Sequence, residues 1–176
     1  MTRLDQNRAT NLLAKKAGVL VSEVSNVTIW GNHSATQIPD AYNAVIKGAP
    51  APEMIGDDRW LNEEFISLIQ KRGAAVISAR GKSSAASAAN AIIDHVKSLF
   101  VPTPAGQWFS MGVYSKGNPY GIDEDMVFSF PCHSLGDGRF EIVPKLPLNE
   151  LLQDKLSLTV KELIEERAMI ENLVHG

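Results

Sequence analysis

Residues 2–9 read Thr-Arg-Leu-Asp-Gln-Asn-Arg-Ala and lead into a stretch, residues 4–17, whose apolar positions recur at helical spacing. Lys15 and Lys16 fall in the last turn, where cations offset the negative end of the helix dipole. Gly18 follows, and glycine commonly ends a helix because it tolerates a left-handed backbone. The sequence therefore predicts an N-terminal helix with charged side chains in its first two turns.

Further elements are predicted along the rest of the chain. Strands are predicted at residues 27–30, 41–46, 108–114, 125–130 and 140–143, with a loop at residues 48–52. Helices are predicted from Asp57 or Asp58 to residue 72, over residues 83–100, and from about Asn149 onward. Residues 74–79 fit either a continuation of the second helix or a strand. The expected fold class over residues 1–176 is α+β, with helices packed on a largely antiparallel sheet.

Composition limits the class of function. The chain has 176 residues, of which 44% are apolar, enough for one domain with a packed core. A formal net charge of −3 offers no basic footprint, so neither nucleic acid nor a membrane is an expected partner. Cys132 is the only cysteine, which excludes an intramolecular disulfide, and no secretory signal is evident. A cytoplasmic location is expected, with small neutral or anionic metabolites as ligands.

Three residues are candidates for chemistry. Asp5 and Arg8 lie three residues apart on the first predicted helix, so their side chains project from one face. They form either an exposed ion pair or a site in which Arg8 holds a carboxylate through two parallel hydrogen bonds. His33 follows Gly31 where a strand meets a loop, and it is either a satisfied polar residue or a catalytic base.

Other patterns do not predict sites. His95 falls in an apolar helix, His133 in a hairpin connection and His175 at a frayed end. Cys132 has no second thiolate or spaced imidazole near it in sequence, so no metal site is expected. Residues 81–83 lack the upstream glycine of a phosphate-binding loop, and no Gly-x-Ser-x-Gly turn presents a serine nucleophile.

Two stretches resemble a known family. Residues 2–9 closely resemble the Thr-Arg-Leu-Asp-His-Asn-Arg-Ala motif of malate dehydrogenases of the cytosolic type, in the lactate/malate dehydrogenase family. Residues 30–40, WGNHSATQIPD, resemble the active-histidine segment of those enzymes. The resemblance continues through residues 83–89, 110–115 and 117–121, and it implies their C-terminal substrate and catalytic domain. Gln6 stands where the family usually has histidine, and we expect only a local change in packing or hydrogen bonding.

The resemblance implies a role for each candidate residue. His33 would take the proton from the C2 hydroxyl of malate as hydride leaves for NAD, and would return it when oxaloacetate is reduced. Asp5 would accept a hydrogen bond from the other ring nitrogen and stabilise the imidazolium. Arg8 would hold a substrate carboxylate, and Ser83 would lie near the nicotinamide and the substrate.

The resemblance also implies a part that these residues do not contain. Family members carry, ahead of this region, a Rossmann dinucleotide-binding domain that supplies the NAD site, so the chain alone is expected to be inactive. The expected partners are malate or oxaloacetate and a second subunit, in a homodimer or in pairing with a full-length subunit. Two alternatives stay open: a non-catalytic interaction module formed by a truncated paralogue, and a domain of a related 2-hydroxyacid dehydrogenase.

Overall fold

Helix α1 spans Thr2–Ala17 in the computed structural model, which describes residues 2–174 apart from the side chains of residues 172 and 174. The helix ends at Gly18, whose positive φ of 67° is the left-handed backbone that the sequence predicts there. Its buried face, from Leu4 to Ala14, is covered by strands and by three other helices. Asp5 and Gln6 also lie on this buried face, so α1 carries polar groups into the protein interior.

Four more helices follow along the chain. They are α2 (Ala51–Ile55), α3 (Ile66–Arg80), α4 (Ala85–Phe100) and α5 (Glu150–Val174), with a short 3₁₀ turn at Val21–Glu23. A π-helical stretch, Trp60–Phe65, runs directly into α3. Asp57, one of the two predicted capping residues, accepts a hydrogen bond at 3.0 Å from the backbone N–H of Trp60. No helix within residues 2–174 combines the length and hydropathy needed to cross a bilayer.

Eight short strands form three antiparallel sheets. The strands are β1 (Val24–Ser25), β2 (Thr28–Trp30), β3 (Ile38–Asp40), β4 (Val45–Ile46), β5 (Ala49–Pro50), β6 (Phe109–Tyr114), β7 (Val127–Ser134) and β8 (Phe140–Ile142). Their orders are β1-β4-β5, β2-β3 and β6-β7-β8. Every strand pair in the described residues is antiparallel, so the α+β class is confirmed, although the sheet is divided into three pieces.

The backbone of Gly31 joins the second sheet to the third. Its N–H donates to the carbonyl of Ser129 on β7 at 3.2 Å, and its carbonyl accepts from the Ser129 N–H at 3.0 Å. One hydrophobic cluster packs α1 against β2 and the start of α3 around Leu13 and Phe65. A second cluster packs β7 against α5 around Phe130. Both clusters therefore hold β2, the strand that precedes His33, in place.

Two local predictions are wrong in the segment that forms β4, β5 and the start of α2. Residues 41–44 form a turn and not the first part of a strand, and only Val45–Ile46 are extended. The cause is Asp40, whose buried carboxylate accepts hydrogen bonds from the backbone N–H groups of Tyr42 and Asn43. Residues 48–52, predicted as a loop, contain β5 and the first turn of α2, where proline near the helix start needs no hydrogen-bond partner for its nitrogen.

Other boundaries differ less. Residues 74–79 are helical, because α3 continues through Gly73 to Arg80. Strand β7 is longer than predicted and includes His133, which pairs with Glu141 on β8 and does not lie in a hairpin connection. Helix α4 begins two residues later than predicted, at Ala85. The prediction for His175 lies outside the described residues.

Candidate active site

Helix α1 places Asp5 and Arg8 at the base of the candidate site. Arg8 Nη1 lies 3.1 Å from Asp5 Oδ1, across one turn of the helix. The Asp5 side chain is 1% exposed and that of Arg8 16%, so the pair is not the exposed ion pair that spacing alone allowed. The contact therefore holds the carboxylate and the guanidinium in a fixed relative orientation inside the protein.

His33 meets the same carboxylate from the other side. Its Nδ1 lies 2.7 Å from Asp5 Oδ2, within the distance of an ion pair, although the two residues are 28 positions apart in sequence. The imidazole is 47% exposed, so one edge of the ring faces Asp5 while the ring remains accessible. The sequence-predicted Asp5, Arg8 and His33 are thus brought together around one buried carboxylate.

The serine next to the predicted one contacts the guanidinium. Arg8 Nη2 donates to Ser84 Oγ at 3.3 Å, just before α4 begins. Ser83, the predicted residue, lines the same cavity, but no hydrogen bond joins it to Arg8 among the described residues. The two serines are adjacent and directly precede α4. The sequence alone carried no signal to show which of them contacts Arg8.

A cavity of about 340 Å³ collects these residues. Asp5, Arg8, His33, Ser83 and Ser84 line it, and its remaining wall comes from α3, α4 and the loop after His33. A cavity with a cation, a titratable imidazole and hydroxyl groups can bind a small carboxylate and exchange a proton with it.

A second cavity, of about 500 Å³, reaches His33 from another direction. Its wall is mostly apolar, with Arg3 and His95 among its polar members. Burial, together with the nearby Arg3 charge, lowers the pKa of His95. Arg8 lines only the smaller of these two cavities and Arg3 only the larger one, while His33 lines both.

Gln6 fixes α1 against the sheets behind the site. Its side-chain oxygen accepts a hydrogen bond at 2.8 Å from the backbone N–H of Ser110 on β6. The Ser110 hydroxyl in turn accepts from the backbone N–H of Ile29 on β2 at 2.8 Å. Gln6, where the family usually has histidine, thus accepts the first of two successive buried hydrogen bonds. Together they link α1, which carries Asp5, to β2, which precedes His33.

Helix α5 contacts the loop that carries His33, a feature that sequence reasoning missed. Glu162 accepts hydrogen bonds from Ser34 and Thr36, and Thr159 accepts one from the backbone N–H of Asn32. Burial raises the pKa of Glu162, but hydrogen bonds from the loop outweigh it and leave the pKa below its ordinary value. The sequence predicted α5 as a helix from about Asn149, and nothing in its pattern indicated this contact.

The Cys132–His133 dipeptide holds no metal ligand set. Cys132 is buried, and burial raises the pKa of its thiol to about 12. His133 contacts Glu141 across the strand pair. Within the described residues, no group of three or more histidine, cysteine, aspartate or glutamate side chains is arranged to bind a metal ion.

Comparisons with known proteins agree with this geometry. The family described as lactate/malate dehydrogenase, alpha/beta C-terminal domain, matches residues 2–174. Malate dehydrogenase of Protochlamydia amoebophila is 53% identical over 99% of this chain and 53% of its own length. The chloroplastic malate dehydrogenase [NADP] of Pisum sativum is 53% identical over 98% of this chain and 39% of its own length. The chain thus spans about half or less of these relatives.

Solved structures show the same fold. Malate dehydrogenase from Naegleria fowleri superposes with a TM-score of 0.89 at 44% identity, covering 98% of this chain and 53% of that one. Trichomonas vaginalis lactate dehydrogenase, in complex with NADH and oxamate, gives a TM-score of 0.91 at 34% identity, covering 99% and 54%. The fold and the family match over residues 2–174 lead to one conclusion: the chain belongs to the lactate/malate dehydrogenase family and corresponds to its alpha/beta C-terminal domain.

Proposed function

We propose that this chain is the substrate-binding and catalytic half of an NAD-dependent malate dehydrogenase, which interconverts malate and oxaloacetate. The observation that carries the proposal is the convergence of His33 and Arg8 on the buried Asp5 carboxylate, beside one cavity. The relatives at 53% identity named malate dehydrogenase support this choice of substrate. NAD is proposed as the cofactor. Because the Pisum sativum relative is named for NADP, activity with the two nicotinamide cofactors has to be compared.

The proton transfer follows from the geometry of His33. Because Nδ1 faces Asp5, Nε2 is the nitrogen that accepts the proton from the C2 hydroxyl of malate. The Asp5 carboxylate stabilises the imidazolium that results, and it holds the ring in one tautomer. When bound, the nicotinamide supplies the acceptor for the hydride that leaves C2.

Arg8 holds a carboxylate of the substrate. Its two terminal nitrogens contact Asp5 and Ser84, but each carries a second N–H, so the guanidinium retains donors for a ligand in the cavity. Asp5 and Ser84 therefore fix the orientation of the donor pair. Ser83, on the wall of the same cavity, is proposed to face the nicotinamide and the substrate.

Two features favour a second substrate class and an interaction with a second subunit. The likeness to a lactate dehydrogenase favours a related 2-hydroxyacid as substrate. The exposed face of α4, with Ile92, Ile93, Val96 and Phe100, favours pairing with a second subunit, as a homodimer or with a full-length chain. Light scattering measures the oligomeric state, and a soluble monomer at all concentrations contradicts the pairing.

The test joins this chain to the nucleotide-binding half of the Protochlamydia amoebophila relative. We expect the joined protein to turn over oxaloacetate at about 1 to 1000 per second, within the range of ordinary enzymes, while the chain alone stays at background. The measurement is the absorbance of the reduced nicotinamide, with NADH and NADPH compared.

Pyruvate serves as the competing substrate in the same assay. A higher kcat/KM for pyruvate than for oxaloacetate would select the related 2-hydroxyacid dehydrogenase. A folded, NADH-binding fusion that reduces neither compound would contradict a catalytic role and favour the interaction module.

A further inference from the structure

Three side chains of the loop after β2 converge on one carboxylate oxygen of α5. Ser34 Oγ and Thr36 Oγ1 each lie 2.5 Å from Glu162 Oε2, and Asn32 Nδ2 donates to the same oxygen at 3.0 Å. The three donors come from alternate positions of one short loop, 32, 34 and 36. A charged acceptor makes such hydrogen bonds shorter and stronger than neutral ones.

Two neighbours of Glu162 on α5 extend this contact. Thr159 Oγ1 accepts from the backbone N–H of Asn32 at 3.0 Å and lies 2.9 Å from Thr36 Oγ1. Glu166 Oε1 accepts from Asn32 Nδ2 at 2.9 Å. The helix thus contacts both the backbone and the side chains of the loop.

The bound positions stand on both sides of His33. Asn32 precedes it and Ser34 follows it, while the His33 ring itself contacts Asp5 on α1. The ring is half exposed, so packing alone does not fix its orientation. The direction of the imidazole therefore depends on the backbone of residues 32–34, and α5 holds that backbone.

We propose that Glu162 is a positioning residue: its carboxylate ties residues 32–36 to α5 and so keeps the His33 imidazole in register with Asp5. The inference rests on the proposed function for the role of His33. Glu162 lies outside the cavity lining that contains Arg8, so it acts on the reaction only through the loop. Its depressed pKa is consistent with a carboxylate that remains ionised while it accepts these hydrogen bonds.

The first test uses Glu162→Ala in this chain alone, where no turnover is needed. Long-range ¹H–¹⁵N spectra report which nitrogen of a neutral histidine ring carries the proton. We expect the parent chain to show His33 as the single Nδ1–H tautomer, and Glu162→Ala to show averaged nitrogen shifts. Amide exchange at residues 31–36 is expected to accelerate about tenfold or more, while that of β6 stays unchanged.

Glu165→Ala is the matched control. Glu165 lies on the same helix and contacts Lys161 at 3.8 Å, on an exposed surface. We expect it to leave both the tautomer and the exchange rates at the parent values. If Glu162→Ala fails to fold, Thr36→Val removes one donor of the same carboxylate and is expected to produce the same changes at smaller amplitude.

The second test measures turnover in the joined two-domain protein. Displacing a catalytic group by about 1 Å can cost about 100-fold in rate, so Glu162→Ala is expected to lower kcat at least tenfold. The KM for malate is expected to change less than about threefold, because Arg8 is untouched. Glu162→Gln, which keeps an acceptor oxygen, is expected to restore part of kcat.

The outcomes separate the two proposals. A parent chain whose His33 lacks the Nδ1–H tautomer would overturn the Asp5–His33 arrangement of the proposed function, and with it this inference. The other outcome concerns Glu162 alone. If the parent chain shows that tautomer, and if Glu162→Ala matches Glu165→Ala in tautomer, loop exchange and kcat, then only the role of Glu162 is overturned.

Discussion

Among residues 2–174, two imidazole–carboxylate pairs occur, one at α1 and the loop after β2 and the other between β7 and β8. His33 Nδ1 lies 2.7 Å from Asp5, whose side chain is 1% exposed, whereas His133 Nε2 lies 3.2 Å from Glu141, whose side chain is 65% exposed. The atoms that meet are of the same kind. Their surroundings differ, and those surroundings determine what each pair can do.

The second pair is a cross-strand contact. His133 and Glu141 are direct partners in the antiparallel register, and such pairs contribute a few tenths of a kcal/mol to about 1 kcal/mol. Water reaches both side chains and screens their interaction. Asp5, by contrast, is buried and also contacts Arg8, beside a cavity of ligand size. Burial, a fixed cation and an adjoining cavity distinguish the candidate site from a surface pair.

The largest expected difference is in turnover. His33→Asn in the joined two-domain protein removes the proposed proton acceptor, and kcat is expected to fall by about 10²- to 10⁴-fold in both directions. His133→Asn is the matched control, and it is expected to stay within about twofold, because a cross-strand pair contributes so little. Steady-state kinetics with malate and with oxaloacetate measure both. Equal losses of kcat in the two variants would contradict the difference in role between the His33–Asp5 pair and the His133–Glu141 pair.

A difference in stability is expected at two glycines with the same backbone. Gly31, at the candidate site, and Gly138, in the β7–β8 hairpin, both have φ of 88°. A Cβ at Gly31 would lie 2.4 Å from the Thr159 side chain, whereas one at Gly138 would meet Phe100 at an ordinary 3.6 Å. Alanine is expected to cost about 1–2 kcal/mol of unfolding free energy at both sites through the positive φ.

At Gly31 the overlap with Thr159 adds to that cost. Overpacking of this kind typically costs about 1–3 kcal/mol, so Gly31→Ala is expected to be the more destabilising variant by about that amount. Urea unfolding of the chain measures both variants. If Gly31→Ala is as stable as Gly138→Ala or more stable, then α5 moves away from the added methyl group without a loss of unfolding free energy.

The smallest expected effect compares the two carboxylates themselves. Asp5→Asn leaves Arg8 beside a neutral amide in a buried setting, and it is expected to lower the unfolding free energy by about 1–3 kcal/mol. Glu141→Gln is expected to change it by less than about 0.5 kcal/mol, because both partners keep water. Urea unfolding at neutral pH compares them, and a cost at Glu141 as large as that at Asp5 would show that burial is not what separates the pairs.

Elements with a strong periodic pattern were predictable from sequence. The spacing of apolar residues predicted α1, α4 and α5 within a few positions, and strands at β2 and β6. The failures lie where side chains override that pattern. Asp40 turns the chain at Tyr42 and Asn43, and the alternating alanines and prolines before α2 have the composition of a loop although they form β5 and begin the helix.

The candidate site was only partly predictable. The contact between Asp5 and Arg8 follows from helical spacing, whereas the approach of His33 to Asp5 depends on tertiary packing and was expected only through the family resemblance. Ser84 was missed because hydroxyl direction at the start of α4 is not encoded in a Ser-Ser pair. Glu162 was missed because a charged residue on an amphipathic helix is ordinarily solvated.

The attachment of the His33 loop to α5 has a consequence for the order of assembly. The hydrogen bond from Asn32 to Thr159 joins positions 127 residues apart, so it closes only after nearly all of the chain has been synthesised and α5 has docked. Helix α1 and its Asp5–Arg8 pair are local and can form early. The contacts that hold the His33 loop against α5 therefore require residue 159, whereas the contact between Asp5 and Arg8 requires only the first turns of α1.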